Sequence, residues 1–212
     1  MARLGRPARL SRDAVISAAE AVVRGEGSAA LSMRRVAREL DSSPMALYRH
    51  VRDKDDLLRH LLDRIAHDLQ RPAPPHEPHD RVMVVGRAVH DWLVAHQWAI
   101  DVLPAHLMGR STAWIVDDIV AALIAGGMSP HSAARGYQVI WQYMVGELTL
   151  AHSDTAGAGD QRAGRDAEDL RQRGLHTLAS LAQAWPDSSD DAFDLGLAAL
   201  VDGLLAMTAT QR

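Results

Sequence analysis

The chain contains no cysteine. That excludes disulfides, thiolate metal sites and a cysteine nucleophile, and it fits a reducing, cytoplasmic setting. No apolar run approaches the roughly 20 residues that a membrane-spanning helix needs. No charged-then-apolar signal segment opens the sequence, so neither a membrane partner nor a leader is expected. Lysine occurs once among the 23 basic residues, a bias attributed to codon usage before function. Signatures of catalysis are missing as well: there is no G-x-S-x-G elbow, no H-E-x-x-H pair and no phosphate-cradling glycine loop. Histidines and aspartates are plentiful, but no spacing assembles them. The chain is therefore not expected to be an enzyme or to carry a cofactor, and a helical enzyme is kept as a remote alternative.

What is present is length and an uneven charge. The 212 residues, 47% of them hydrophobic, suit one small and one larger domain. The net charge of −4 conceals a division. Residues 1–54 hold eleven Arg or Lys against six Asp or Glu, or +5, and the remainder holds twelve against twenty-one, or −9. A basic N-terminal quarter on an acidic body points to a localised polyanion site.

The organising stretch is Leu31 to Lys54, which reads as two short helices and a tight turn. Ser32 is a good N-cap, and Val36, Ala37 and Leu40 recur at helical spacing. Asp41-Ser42-Ser43 interrupts the pattern. Ser43-Pro44 is a second start signal, a capping hydroxyl followed by a ring suited to the first helical position. The second helix is about two turns long, with Leu47 and Val51 inward. Its other faces carry Met45, Ala46, Tyr48, Arg49 and His50, while Arg34 and Arg35 open the helix before it. A short helix with a basic, aromatic outer surface is what reading a major groove requires.

At these residues the chain resembles a known family. Leu47-Tyr48-Arg49-His50-Val51, with Lys54 beyond it and Leu57-Leu58 after that, is similar to the helix-turn-helix of the TetR transcriptional regulators. The likeness covers roughly residues 5 to 65 and weakens afterwards. The family often has glycine in the turn where this sequence has Asp41. Asp tolerates a left-handed backbone better than most residues, so a slightly strained turn in an intact fold is expected. The resemblance implies an all-α protein with a three-helix DNA-binding domain and a larger helical ligand-binding and dimerisation domain.

The organisation expected along the chain is a basic arm over 1–10, a helix-turn-helix domain with a connecting fourth helix over 11–70, and a helical body over 78–208. Arg3, Arg6 and Arg9 stand in the arm, either as a solvated tail or as side chains drawn into a narrow minor groove. Ser11 caps a scaffold helix striped by Ile16, Ala19, Val22 and Val23. The fourth helix runs from Asp53 to about Gln70. Residues 71–80 are rich in proline and form the boundary. His60 with His67, and His76-Glu77 with His79-Asp80, invite a metal reading, but a solvated helix face and a polar linker explain them better. In the body, Val84, Val85, Ala88, Trp92 and Leu93 give one stripe. Further helices are expected over about 98–107, from a Ser111 cap to Gly126-Gly127, from Ser129-Pro130 to His152, over about 166–184, and from Ser189 onward. Residues 153–165 read as a mobile loop.

Each DNA-facing residue has a physical role. Arg34 suits a bidentate contact to guanine, and Pro44, Met45 and Ala46 suit thymine methyls. Ser43 adds a hydrogen bond, and Arg35 belongs to the same basic cluster. By resemblance, Ser32, Tyr48, His50 and Lys54 hold phosphates, while Arg49 serves base or backbone. A solvated helix surface is the plainer alternative for any single member. In the body, Trp92, His96, Trp98, His106, Trp114, Tyr137, Trp141 and Met144, with Tyr143 and Glu147 nearby, fit a roomy apolar cavity with polar fixtures. Singly, each is as well explained as core. The resemblance implies an effector that enters this cavity and shifts the fourth helix.

In the last helix, Gly196, Ala199, Gly203 and Ala206 recur three or four apart beside Leu197, Leu200, Leu204 and Met207. Mid-helix glycines cost about 1 kcal/mol each against alanine, which close packing must offset. An ordinary intrachain crossing is one account of this pattern. The resemblance favours a homodimer interface at Gly196, Ala199, Leu200, Gly203 and Leu204. The function implied is a repressor that binds a palindromic DNA operator as a homodimer and is released by a small-molecule effector. An architectural DNA-binding protein without an effector is the alternative.

Overall fold

The computed structural model describes residues 10–100, 102, 110–157, 167–181 and 190–209. Every regular element among them is helical. The chain divides into two compact units: Met1–Arg71 with Ala95–Val116, and Pro72–Val94 with Asp117–Arg212. By its contacts, segment 95–116 groups with the first unit.

In the first unit, α1 (Arg12–Glu26) begins where the Ser11 hydroxyl accepts the Ala14 N–H, and it buries Val15, Ile16, Ala19, Val22 and Val23. A 3₁₀ turn (Ser28–Ala30) leads to α2 (Met33–Glu39), where the Ser32 Oγ accepts the Arg35 N–H at 3.1 Å. Helix α3 (Pro44–Leu47) starts as the Ser–Pro pair predicts, with the Ser43 Oγ accepting from Ala46 N–H. Helix α4 (Lys54–Ala66) is capped by Asp53 and stops earlier than Gln70. Val36, Leu47, Val51, Leu57, Leu58 and Leu61 close the core against α1, with Leu40 only half-buried. The short helix α6 (Gln97–Ile100) buries Ala99 and Ile100. Ser111 lies inside a 3₁₀ turn (Arg110–Thr112) before α7 (Ala113–Ala125). Its N–H donates to Asp63 Oδ1, so Ser111 serves as a tether to α4 where a helix cap was expected.

In the second unit, α5 (Pro78–Ala95) buries Val82, Val85, Gly86, Val89 and Leu93. The expected stripe is rotated: Val84 is exposed and Trp92 half-buried. The adjacent valines 84 and 85 left the phase open, and the true one follows the 3–4 spacing from Val82. Ser129-Pro130 starts α8 (Pro130–Gly157), with the Ser129 Oγ accepting the Ser132 N–H. This helix continues through Gly157, five residues past His152, into the stretch read as a loop. The rest of that stretch, 158–165, lies outside the described residues, as does Ser189. The expected single helix near 166–184 is a pair, α9 (Ala167–Gln172) and α10 (His176–Leu181), parted at Arg173-Gly174-Leu175. Helix α11 (Asp190–Ala209) places Phe193, Leu197 and Val201 in the core with Ile140 and Met144 of α8.

Candidate nucleic-acid interface and effector residues

The turn between α2 and α3 is built on backbone hydrogen bonds. Ser42 N–H donates to Ala37 C=O at 2.9 Å, and Asp41 N–H to Arg38 C=O at 3.2 Å. This pair of bonds is the Schellman arrangement, whose penultimate residue takes a left-handed backbone. Asp41 sits there with φ of 47°, and among the described residues it alone of the non-glycines has positive φ.

Helix α3 is a single turn where about two were expected, and it rests on fully buried Leu47, with Val51 buried in the segment that follows it. Outward, Met45 is 74% exposed and Tyr48 46%. Arg49, Ser43, Lys54, Ser32 and Arg34 are exposed as well, with Pro44, Ala46 and His50 at intermediate depth. Ser32 and Ser43 use one lone pair each as helix caps, which leaves their hydroxyl protons free to donate. Arg12 Nε donates to the His50 carbonyl at 3.1 Å and fixes the end of the reader to the start of α1. The arm residues Arg3, Arg6 and Arg9 lie outside the described residues.

Arg35 stands apart. Its guanidinium is committed to Glu26, with Nη2 to Oε1 at 2.6 Å and Nε to Oε1 at 3.0 Å, and to Glu39 through Nη1 at 2.8 Å. The Arg35 hydrogen bond holds the Glu26 carboxyl below the ordinary carboxylate range, and the two carboxylates raise the guanidinium further. A local sequence pattern gives no sign of this, because Glu26 lies nine residues away across a turn.

Beyond the reader, nearly buried Asp56 gathers Arg52. Its Oδ2 accepts the Arg52 N–H at 2.9 Å and its Oδ1 the guanidinium at 3.1 Å. Those bonds hold its carboxyl down at about 2. Arg59 adds an ion pair at 3.2 Å. Arg52, 76% exposed at its side chain, is a basic group beside the reader that the sequence reading missed.

The expected effector residues fall into two sets. In the second unit, Tyr137 and Trp141 stack at 6.4 Å, Met144 is fully buried and Trp92 half-buried. In the first, His96, Trp98 and Trp114 are half-buried, and the Arg71 guanidinium lies 6.0 Å from the Trp114 ring centre. His106 lies outside the described residues. The second unit also holds a cluster centred on a histidine the sequence reading passed over. His90 stacks on Phe193 at 3.9 Å, and its Nε2 lies 3.2 Å from Glu147 Oε2. The Tyr143 hydroxyl contacts the carbonyls of Ala192 and Phe193 at 3.1 and 3.0 Å. Burial and the Glu147 charge push the Tyr143 phenol up, and burial alone does so for Tyr137. Rotating the α5 stripe to its true phase would have put His90 on the inner side.

The small-residue stripe of α11 divides. A side chain at Gly196 would strike the Tyr143 ring of the same protomer, whereas Gly203 has nothing within 4 Å. Ala199 is exposed, Leu200 and Leu204 half-buried. Leu195, Ala199, Gly203 and Met207 therefore form an outward ridge at four-residue spacing. Alongside it runs an open cavity of about 590 Å³, lined by Met128, Arg135, Val139, Leu204 and Met207 among others.

Residues 15–61 match the profile of the bacterial regulatory proteins of the tetR family, and residues 71–208 that of the tetracyclin repressor-like C-terminal domain. The chain belongs to the TetR family. It is 27% identical to the HTH-type transcriptional repressor DrrR1 of Streptomyces coeruleorubidus, over 96% of this chain and 80% of that protein. Among solved structures it resembles the Streptomyces coelicolor TetR family protein ActR in complex with (S)-DNPA. That match has a TM-score of 0.76 and 27% identity, and it covers 95% of this chain and all of the other. BioQ with its double-stranded DNA operator is similar at a TM-score of 0.68 and 25% identity, over 93% and 99% of the two chains. Among the described residues of this TetR-family chain, no helix is long and apolar enough to cross a membrane.

Proposed function

We propose that the chain is a cytoplasmic transcriptional repressor that binds a palindromic DNA operator as a homodimer and is released by a small-molecule effector. The observation that carries this is the reader: a one-turn helix and the segment after it, anchored by buried Leu47 and Val51, with Met45 and Tyr48 exposed. Arg34 reaches base edges from the start of α2. Tyr48, Lys54, Ser32 and His50 serve the phosphates, and Arg49 serves base or backbone. Two copies are required because one such module makes too few contacts for operator-level affinity. The effector belongs to the aromatic residues of the second unit, Trp92, Tyr137 and Trp141, and it acts by preferring the released state. The family is one of regulators, and catalysis has no part in this reading.

Selection of bound duplexes from a random library tests the proposal. The expected outcome is one palindrome whose half-sites are spaced for two readers on one face of the duplex. Similar binding to most duplexes would overturn it in favour of an architectural protein. Titration with (S)-DNPA, bound by the relative ActR, follows as a first probe of release.

A further inference from the structure

We propose that Arg35 is a positioning residue for base reading: it clamps α2 to the end of α1 and so aims the neighbouring Arg34 at the groove. The inference rests on the DNA-reading function above. Three observations carry it. The Arg35 fork engages both oxygens of Glu26, the last residue of α1, at 3.0 and 3.3 Å through Nε. Its Nη1 takes Glu39 at the far end of α2. Its own backbone N–H is held by the Ser32 cap.

Successive helix residues point roughly 100° apart around the axis. Fixing the azimuth of residue 35 against α1 therefore fixes the direction of residue 34, which is exposed. A rotation of α2 by about 20° would carry a side chain some 6 Å from the axis sideways by about 2 Å. That displacement exceeds the tolerance of a bidentate contact to guanine. The clamp is also a poor place for a phosphate. Glu26, Arg35 and Glu39 together carry one negative charge, so an approaching phosphate meets net repulsion. The fork geometry is specific to arginine, since a lysine offers a point charge and no planar pair of donors.

The test uses the full chain, the duplex that the wild type selects from a random library, and a scrambled duplex of the same composition. Affinities for Arg35→Met, Arg35→Lys, Glu26→Gln and Arg35→Met/Glu26→Gln are measured across a salt series, with melting curves to establish folding. Glu26→Gln changes an exposed carboxylate and keeps its shape, so it stays informative even if Arg35→Met fails to fold. The expected result is a loss of about tenfold on the selected duplex for each single variant, little change on the scrambled one, and an unchanged salt slope. The double variant is expected to be no worse than the worse single one, because both remove the same clamp. A direct phosphate contact predicts the opposite signs. Glu26→Gln would then release Arg35 and tighten binding to both duplexes, and Arg35→Met would lower the salt slope by about one. Either result, or unchanged discrimination in every variant, overturns the inference. A wild type that selects no sequence overturns the operator reading instead, and the clamp with it.

Discussion

Asp63 of α4 accepts the backbone N–H of Ser111 at 2.9 Å, joining the connecting helix to the turn that precedes α7. The bond is charge-assisted and partly buried, a combination worth about 1.5–3 kcal/mol. Arg64, the next residue, ties the same helix to α1 through Asp13 at 3.1 Å and Ser17 at 2.8 Å. Helix α4 is thus held on two sides within its unit. Asp63→Ala is expected to lower stability by about 1–3 kcal/mol and to raise hydrogen exchange at the Ser111 amide selectively. Unchanged protection at Ser111 would show that the bond does not form in solution.

A second expectation concerns acid. The Asp56 carboxyl is held at about 2, below its ordinary 3.8, chiefly by the Arg52 N–H. A depressed carboxyl contributes stability that is full above the unfolded value and is lost as pH falls through the folded one. The window is therefore about pH 4 down to 2. Asp56→Asn is expected to destabilise by about 1–3 kcal/mol at pH 6 and to differ little from wild type at pH 2. Urea unfolding at the two pH values checks this, and an equal deficit at both would exclude the carboxylate as its source.

Asp41 occupies a position whose left-handed backbone glycine adopts without strain. Replacing it with glycine relieves that strain but gives the unfolded chain more freedom to lose, a loss of about 0.5–1 kcal/mol. Asp41→Gly is expected to stabilise by no more than about 1 kcal/mol. Asp41→Val, β-branched and without a local hydrogen bond, is expected to destabilise by about 1–2 kcal/mol. Thermal melts of the pair decide it, and a stabilising valine would refute the turn assignment.

The reader's elements were legible because their signals are local. Ser32, Ser43-Pro44, Asp53 and Ser129-Pro130 all cap or start helices where the sequence placed them, each by a hydroxyl or carboxylate reaching an N–H three residues on. Asp41 was legible for the same reason. What escaped depends on residues distant in the chain. Arg35 reads as part of a basic cluster until Glu26 is brought beside it by the α1–α2 turn. His90 and Phe193, about a hundred residues apart, meet only through packing of α5 on α11. Gly196 and Gly203 look equivalent along one helix, yet one faces Tyr143 and the other faces outward.

Arg34 and Tyr48 are expected to separate base reading from backbone contact. With Tyr48 proposed as a phosphate donor, Tyr48→Phe should weaken binding alike on selected and scrambled duplexes. Arg34→Ala should also relax base preference, by about 1–3 kcal/mol on the selected duplex. Competition binding at fixed salt measures both. Equal losses on the two duplexes for Arg34→Ala would refute its assignment to a base.

The two glycines of α11 give the sharpest test of the dimer. At Gly196 an added methyl meets the Tyr143 ring of the same protomer, so Gly196→Ala must push that ring from its contacts with the Ala192 and Phe193 carbonyls. Overpacking of this kind costs about 1–3 kcal/mol and acts within each subunit. At Gly203 the space is open, and within one protomer Gly203→Ala should favour the helix by about 1 kcal/mol. If the ridge of Leu195, Ala199, Gly203 and Met207 packs closely on a second copy, the same methyl wedges the two helices apart. Gly203→Ala is then expected to raise the dimer dissociation constant at least tenfold in sedimentation equilibrium while helix content is kept, and Gly196→Ala to lower the melting temperature. A Gly203→Ala protein that dimerises as tightly as wild type would move the interface off this ridge.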